Sequence, residues 1–195
     1  MKVVVDEQGI AERISQLAQE ITRDYSKCEL VVVGILKGSV PFIADLIRKI
    51  RLPLTLDFMS ISRYSPSPDT GEVKITKDLQ EDVSAKHLLL VEDIVDTGLT
   101  LNYLIRLLLN RRPASLAVCT LLDRPGLRLV DLPIRYVGFE INQEFLIGYG
   151  LDYCDRYRQL PFLAAMDLDG SKARNSSAQA RRHKSSASSV VSTLE

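Results

Sequence analysis

Apolar residues at Ile10, Ile14, Leu17 and Ile21 recur at helical spacing behind the polar pair Asp6-Glu7, which predicts an amphipathic helix over Gln8–Tyr25. Glu29–Leu36 (ELVVVGIL) breaks that period. It is a continuous β-branched run of strand length, the pattern of a strand buried on both faces. Gly38-Ser39-Val40-Pro41 opens a second helix that runs through Ile50, with Pro41 tolerated in its first turn. Leu54–Ile61 predicts another strand and Val73–Ile75 a short one. Between them, Ser62–Glu72 is too polar to pack and too long for a tight turn. Lys86–Val91 (KHLLLV) is a further buried strand, followed by an acidic loop and a helix over Leu101–Asn110. Ala114–Leu122, Tyr136–Phe139 and Phe145–Ile147 complete the strands. This alternation predicts an α/β fold, a mainly parallel twisted sheet flanked on both faces by helices.

Composition narrows the function classes. Lys+Arg and Asp+Glu each total 25, so the net charge is zero. The global basic bias of a nucleic-acid coat or a polybasic membrane binder is absent, and neither nucleic acid nor membrane is expected as a partner. No apolar run approaches the roughly 20 residues that cross a bilayer, and Met1-Lys2-Val3-Val4-Val5 turns acidic at Asp6, unlike a signal peptide. Cys28, Cys119 and Cys154 are odd in number and lack CxxC spacing. That excludes a disulfide scaffold and a zinc ribbon, and fits a reducing, cytoplasmic setting. His87 and His183 are the only histidines, so chemistry must rest on carboxylates, Lys/Arg and backbone amides. At Gly170 the chain turns Ser/Ala/Arg-rich. A folded domain over 1–168 and a disordered tail over 169–195 are expected, the alternative for the tail being a basic arm toward acidic partners.

The segment Leu88–Thr100, LLLVEDIVDTGLT, carries the most chemistry. A buried strand stops in Glu92-Asp93, passes Ile94-Val95, and runs through Asp96-Thr97-Gly98-Leu99-Thr100 into a helix. Ligands of parallel α/β sheets sit beyond the carboxyl ends of the strands. A loop of small residues entering a helix points several N–H groups at one spot, which suits a phosphate. Gly98 allows close approach, and Thr97 and Thr100 add hydroxyls. Two carboxylates beside an anion site must serve other atoms, either sugar hydroxyls or a magnesium ion. The Walker pattern is absent, and Gly148-Tyr149-Gly150 never completes GxGxxG.

Four apolar residues, two acids, two apolar residues and D-T-G-x-T resemble the 5-phosphoribosyl 1-diphosphate motif of type I phosphoribosyltransferases. Other segments narrow the resemblance to the hypoxanthine-guanine phosphoribosyltransferases. Ile35-Leu36-Lys37-Gly38 is similar to their diphosphate loop, and Gly71-Glu72-Val73 with Lys77-Asp78-Leu79 to the segment after their lid. Val137–Ile141 and Phe145–Tyr153 resemble their purine-binding stretch, and Arg156–Phe162 the segment that closes the domain. The resemblance runs in unbroken order over roughly residues 1–168.

That resemblance implies a phosphoribosyltransferase fold with a small purine-binding hood and a mobile lid, acting in purine salvage. It implies transfer of the phosphoribosyl group to hypoxanthine or guanine, with Mg2+ as cofactor and a homodimer or homotetramer as the assembly. Asp96 is then the catalytic acid/base. Lys37, Gly38, Glu92, Asp93, Asp96, Thr97, Gly98, Leu99, Thr100 and Arg158 bind phosphoribosyl diphosphate, with a non-proline cis peptide in the Lys37-Gly38 loop. Arg124, Phe145 and Leu146 bind the purine, Arg63 and Tyr64 belong to the lid, and Glu92, Asp93 and Asp152 attend the metal. Two positions depart from the family pattern. Arg124 stands where lysine is usual, which alters reach and donor geometry. Arg63-Tyr64 replaces the common Ser-Tyr, and Arg63 either meets diphosphate or faces solvent. A non-catalytic regulator on the same fold would need a DNA-binding domain or a basic folded face. A phosphoacceptor receiver domain lacks the spaced lysine and leaves the lid unexplained.

Overall fold

The computed structural model describes residues 1–64, 72–142 and 145–166. The tail, the domain boundary at 168 and the central part of the lid lie outside the described residues. The elements run β1 (Lys2–Val5), α1 (Glu7–Asp24), β2 (Leu30–Leu36), α2 (Val40–Lys49), β3 (Leu54–Tyr64), β4 (Glu72–Lys77), β5 (His87–Val95), α3 (Leu99–Leu109), β6 (Ser115–Asp123), β7 (Ile134–Glu140), β8 (Leu146–Ile147) and β9 (Leu163–Ala165). A 3-10 turn, Pro125–Leu127, follows β6.

The main sheet has the order β4-β3-β2-β5-β6-β7. Its pairs are parallel except β3 with β4. Alternate residues of the central strands feed two cores. Leu30 and Val32 of β2 and Leu89 and Val91 of β5 pack with α1 and α2. Val31, Val33, Leu88 and Leu90 pack with Leu101, Leu104, Ile105 and Leu108 of α3. With both faces covered, polar alternation disappears from these strands, which is why they read as unbroken apolar runs. Helix α1 starts where the Asp6 carboxylate accepts from Gly9 N at 2.8 Å, and it buries Ile10, Ile14, Leu17, Ala18 and Ile21.

Several boundaries differ from the sequence expectation. β5 continues through the acids to Val95, pairing Glu92 with Thr120 and Ile94 with Leu122 of β6. Glu92 and Asp93 therefore stand on a strand, not in a loop, because a neighbouring ladder satisfies the backbone whatever the side chains are. Helix α3 begins at Leu99 rather than Leu101. Strands β3 and β4 pair as far as Tyr64 and Glu72, so the lid segment is shorter at both ends than Ser62–Glu72. A second sheet, β1-β9-β8, is antiparallel and pairs Val3 with Ala164 and Leu146 with Ala165. It brings the first residues of the chain against the last described ones. Among the described residues, no helix is long and apolar enough to cross a membrane.

The two-core arrangement sets an expectation for stability. Leu17 is fully buried, so Leu17→Ala should lower unfolding free energy by about 2–5 kcal/mol in urea titration. Val3, 50% exposed on the small sheet, should change it by no more than roughly 0.5 kcal/mol when replaced by Ala.

Candidate active site

The carboxyl ends of β2 and β5 open on a cleft of about 370 Å³. Lys37 and Gly38 enter it from the turn after β2, Glu92 and Asp93 from β5, and Asp96, Thr97, Gly98 and Thr100 from the passage into α3. Asp152 and Arg158 reach it from the turns after β8. Leu99 is 52% exposed at the start of α3 and is absent from the described lining.

Gly98 has φ 78, a left-handed conformation, and an added Cβ would meet Leu132 Cδ1 at 2.7 Å. Only glycine fits there without strain. As N-cap of α3 it brings no side-chain cap, so the positive pole of α3 faces the cleft with a fixed affinity for anions. Across the cleft, the Leu36–Lys37 peptide is cis; the expected cis bond thus precedes Lys37. Gly38 packs without clearance. A Cβ on it would lie 1.5 Å from Asp93 Oδ2, and one on Gly150 would lie 1.9 Å from the Gly38 carbonyl oxygen. Lys37 Nζ stands 3.6 Å from Asp155 Oδ1, both side chains 74% exposed, a weak pairing that leaves the ammonium available to a ligand.

The acids are held in different ways. Burial, reinforced by the Asp93 charge, pushes the Glu92 carboxyl well above the usual carboxylate range. Its Oε2 is buried and has no hydrogen-bond partner. Asp93 is raised mainly by burial; the Ile94 N–H, which donates to Oδ1 at 2.9 Å, and Arg158 oppose that rise, while Asp152 adds to it. Asp152 accepts from Asp155 N at 2.8 Å and pairs with Arg158 Nη2 at 2.6 Å. Arg158 Nη1 donates to the Gly150 carbonyl at 2.7 Å. Among the described residues, no three acidic, His or Cys side chains converge on one point. An orphaned buried carboxylate oxygen beside further carboxylates still fits a hard cation that takes one or two protein ligands and fills its shell with water and phosphate oxygens.

Asp96 joins this cleft to a second. Its Oδ1 lies 3.3 Å from Arg124 Nη1, and the Arg124 side chain is 14% exposed. Arg124 lines a neighbouring cleft of about 310 Å³ with Gly126, Leu127, Ile141 and Asn142. Phe145, 37% exposed, meets Tyr153 edge to face at 5.9 Å and 85°. Leu146 is buried in β8. Neither is in the described lining of these clefts; both stand at the small sheet. Arg63 and Tyr64 end β3, and their side chains lie outside the described set.

The pattern of the sequence did not expose Arg128, Asp123 or Gly150. Arg128 donates Nε to the Asp96 carbonyl at 3.1 Å and pairs with the Asp123 carboxylate. No local motif marks such a contact, because it depends on which carbonyl lies across the turn. For Gly150 a signal existed in Gly148-Tyr149-Gly150, where all three residues have positive φ.

Known proteins resemble this chain over most of its length. The phosphoribosyl transferase domain family matches residues 2–154. The hypoxanthine phosphoribosyltransferase of Haemophilus influenzae is 46% identical over 171 residues, which is 86% of this chain and 96% of that protein. The hypoxanthine-guanine phosphoribosyltransferase of Bacillus subtilis is 43% identical over 166 residues, 85% of this chain and 92% of that one. The crystal structure of a Staphylococcus aureus hypoxanthine phosphoribosyltransferase superposes with a TM-score of 0.83 at 41% identity, covering 87% of this chain and 92% of that chain. With its fold and most of its length shared in this way, the chain belongs to the hypoxanthine(-guanine) phosphoribosyltransferases of the phosphoribosyl transferase domain family.

Proposed function

We propose that this chain transfers the phosphoribosyl group of 5-phospho-α-D-ribose 1-diphosphate to a ring nitrogen of hypoxanthine or guanine, giving IMP or GMP and diphosphate in purine salvage. The observation that carries this reading is the meeting of Lys37-Gly38, Glu92-Asp93 and the Asp96–Thr100 loop in one cleft, with Arg124 across Asp96.

In the reaction the bond from the sugar carbon to diphosphate breaks, a bond to the purine nitrogen forms, and the purine gives up a proton. Thr97, Gly98, Leu99 and Thr100 hold the 5-phosphate with backbone N–H groups, hydroxyls and the pole of α3. Glu92 and Asp93 accept from the ribose hydroxyls, which gives the buried Glu92 Oε2 a donor. Lys37, the Gly38 backbone and Arg158 face the departing diphosphate. Magnesium, held by Glu92, Asp93 or Asp152 together with substrate oxygens, supplies counter-charge when bound. Asp96 takes the purine proton. Arg124 donates to the six-position oxygen; adenine presents an amino donor there and would leave a buried cation facing a donor, so it is rejected. Phe145 stacks on the purine face, and the Leu146 backbone pairs with the base edge. Arg63 and Tyr64, at the end of β3, flank the lid, which closes to keep water from an oxocarbenium-like sugar carbon. The same reading includes a homodimer or homotetramer in the cytoplasm, the latter supported by three free cysteines.

Two outcomes follow. Asp96→Asn should cut turnover of hypoxanthine at least about 10-fold and by up to the roughly 10²–10⁴-fold that acid–base catalysis supplies, while calorimetry still detects phosphoribosyl diphosphate binding. Near-normal turnover with Asn removes Asp96 from the mechanism. The second outcome concerns Glu92, whose folded-state pKa lies above its ordinary value of 4.5. Between the two values the folded state holds a proton that the unfolded chain has released, so this group's stabilising contribution fades as pH rises through that window. Glu92→Gln should therefore raise the Tm of the ligand-free protein at pH 7–8, flatten its pH dependence, and weaken phosphoribosyl diphosphate binding. An unchanged Tm profile would contradict the strained carboxylate.

A further inference from the structure

The turn after β6 is tied to the phosphate loop by more bonds than reading a base requires. Arg124 N donates to the Val95 carbonyl and Leu129 N to the Thr97 carbonyl, each at 3.0 Å. Arg128 lies between these bonds. Its Nε donates to the Asp96 carbonyl at 3.1 Å, and its Nη2 pairs with Asp123 Oδ1. The pair is largely enclosed, the side chains being 17% and 12% exposed. The stem of Arg128 also backs the phosphate loop, since a Cβ on Gly98 would stand 3.1 Å from Arg128 Cδ. Asp96 is therefore held at both ends, its carbonyl by Arg128 and its carboxylate by Arg124. Both arginines belong to one turn, which the Asp123–Arg128 pair closes on itself.

We propose that Arg128 is a positioning residue for the transfer reaction, locking the turn that bears Arg124 to the loop that bears Asp96. The role rests on the reading of Asp96 and Arg124 given above. Asp96 is the first residue past the end of β5, where the sheet ladder no longer fixes the backbone. A guanidinium can place Nε on a carbonyl and Nη2 on a carboxylate at the same time because its fork is rigid and planar. A lysine ammonium keeps the charge but lacks that planar fork. Arg128 is absent from the described lining of both clefts, so it acts through Asp96 and not on the substrates. With the fork in place, the proton acceptor and the donor to the six-position oxygen keep one separation. Without it they drift by fractions of an ångström, and misplacement of about 1 Å can cost about 10²-fold in rate.

Steady-state kinetics on the full chain with hypoxanthine, phosphoribosyl diphosphate and magnesium tests this, with Tm measured in parallel. Arg128→Lys preserves the pairing with Asp123 and should stay folded, yet lose kcat by about 10- to 100-fold, with the KM for phosphoribosyl diphosphate changed less than about threefold. Arg128→Met should lose at least as much kcat and also melt lower; if it fails to fold, the lysine variant carries the test. Parent-like kcat in Arg128→Lys would overturn the role, as would a kcat loss that merely tracks the folded fraction. A parent chain inactive on both hypoxanthine and guanine would overturn the activity itself and this role with it. An active parent with an unimpaired lysine variant overturns the role alone.

Discussion

Asp93 presses its carboxylate against a residue that has no room for a side chain: a methyl group on Gly38 would stand 1.5 Å from Asp93 Oδ2. On its other side Gly38 is met by Gly150, held at φ 99 with the same lack of clearance. This contact between the turn after β2, the end of β5 and the turn after β8 draws three distant parts of the chain into one cleft. Lys37 arrives with the first, Glu92 and Asp96 with the second, Asp152 and Arg158 with the third. The site's charges follow from that packing. Glu92 and Asp93 are displaced upward because they are enclosed, and Arg158 is drawn to Asp152 because that acid is within reach.

Such an arrangement costs folding stability and suits a ligand. A buried carboxylate oxygen without a donor loses its hydration and gains nothing in return. In the proposed function, ribose hydroxyls and a hard cation would relieve it. Lys37 and the start of α3 line the same cleft, and the proposed function assigns them to the two phosphate ends of one substrate. Under the proposed function the cleft would bind anions at its ends and a cation or hydroxyls in its middle, a pattern complementary to a sugar carrying phosphate at both ends.

Much of the fold was legible because the helices and central strands bury continuous surfaces. The α1 stripe and the runs in β2 and β5 are direct imprints of the two cores. Less could be seen where backbone pairing alone decides. β5 outlasts its apolar run by pairing with β6 through two acids. β1 and β9 are short strands of the small sheet with no period to read. Within the clefts, Asp96–Thr100 stood out as a contiguous run and Arg124 as part of a stretch resembling the family, and the structure places them in adjoining clefts. Arg128 and Asp123 did not stand out, because their contact is set by a carbonyl that tertiary folding brings across the turn. The lid and the tail lie outside the described residues.

This cleft should distinguish a six-oxo purine from adenine while moving one phosphoribosyl group. The most direct measurement incubates the parent chain with phosphoribosyl diphosphate and magnesium, adds hypoxanthine, guanine or adenine in turn, and follows nucleotide and diphosphate release. Hypoxanthine or guanine should be consumed with one diphosphate released per nucleotide formed, and adenine should react with a kcat/KM lower by at least about 10²-fold, since a site built to donate to one group rejects the analogue that lacks it. Turnover of adenine at a comparable rate, or none with any purine, would contradict the account.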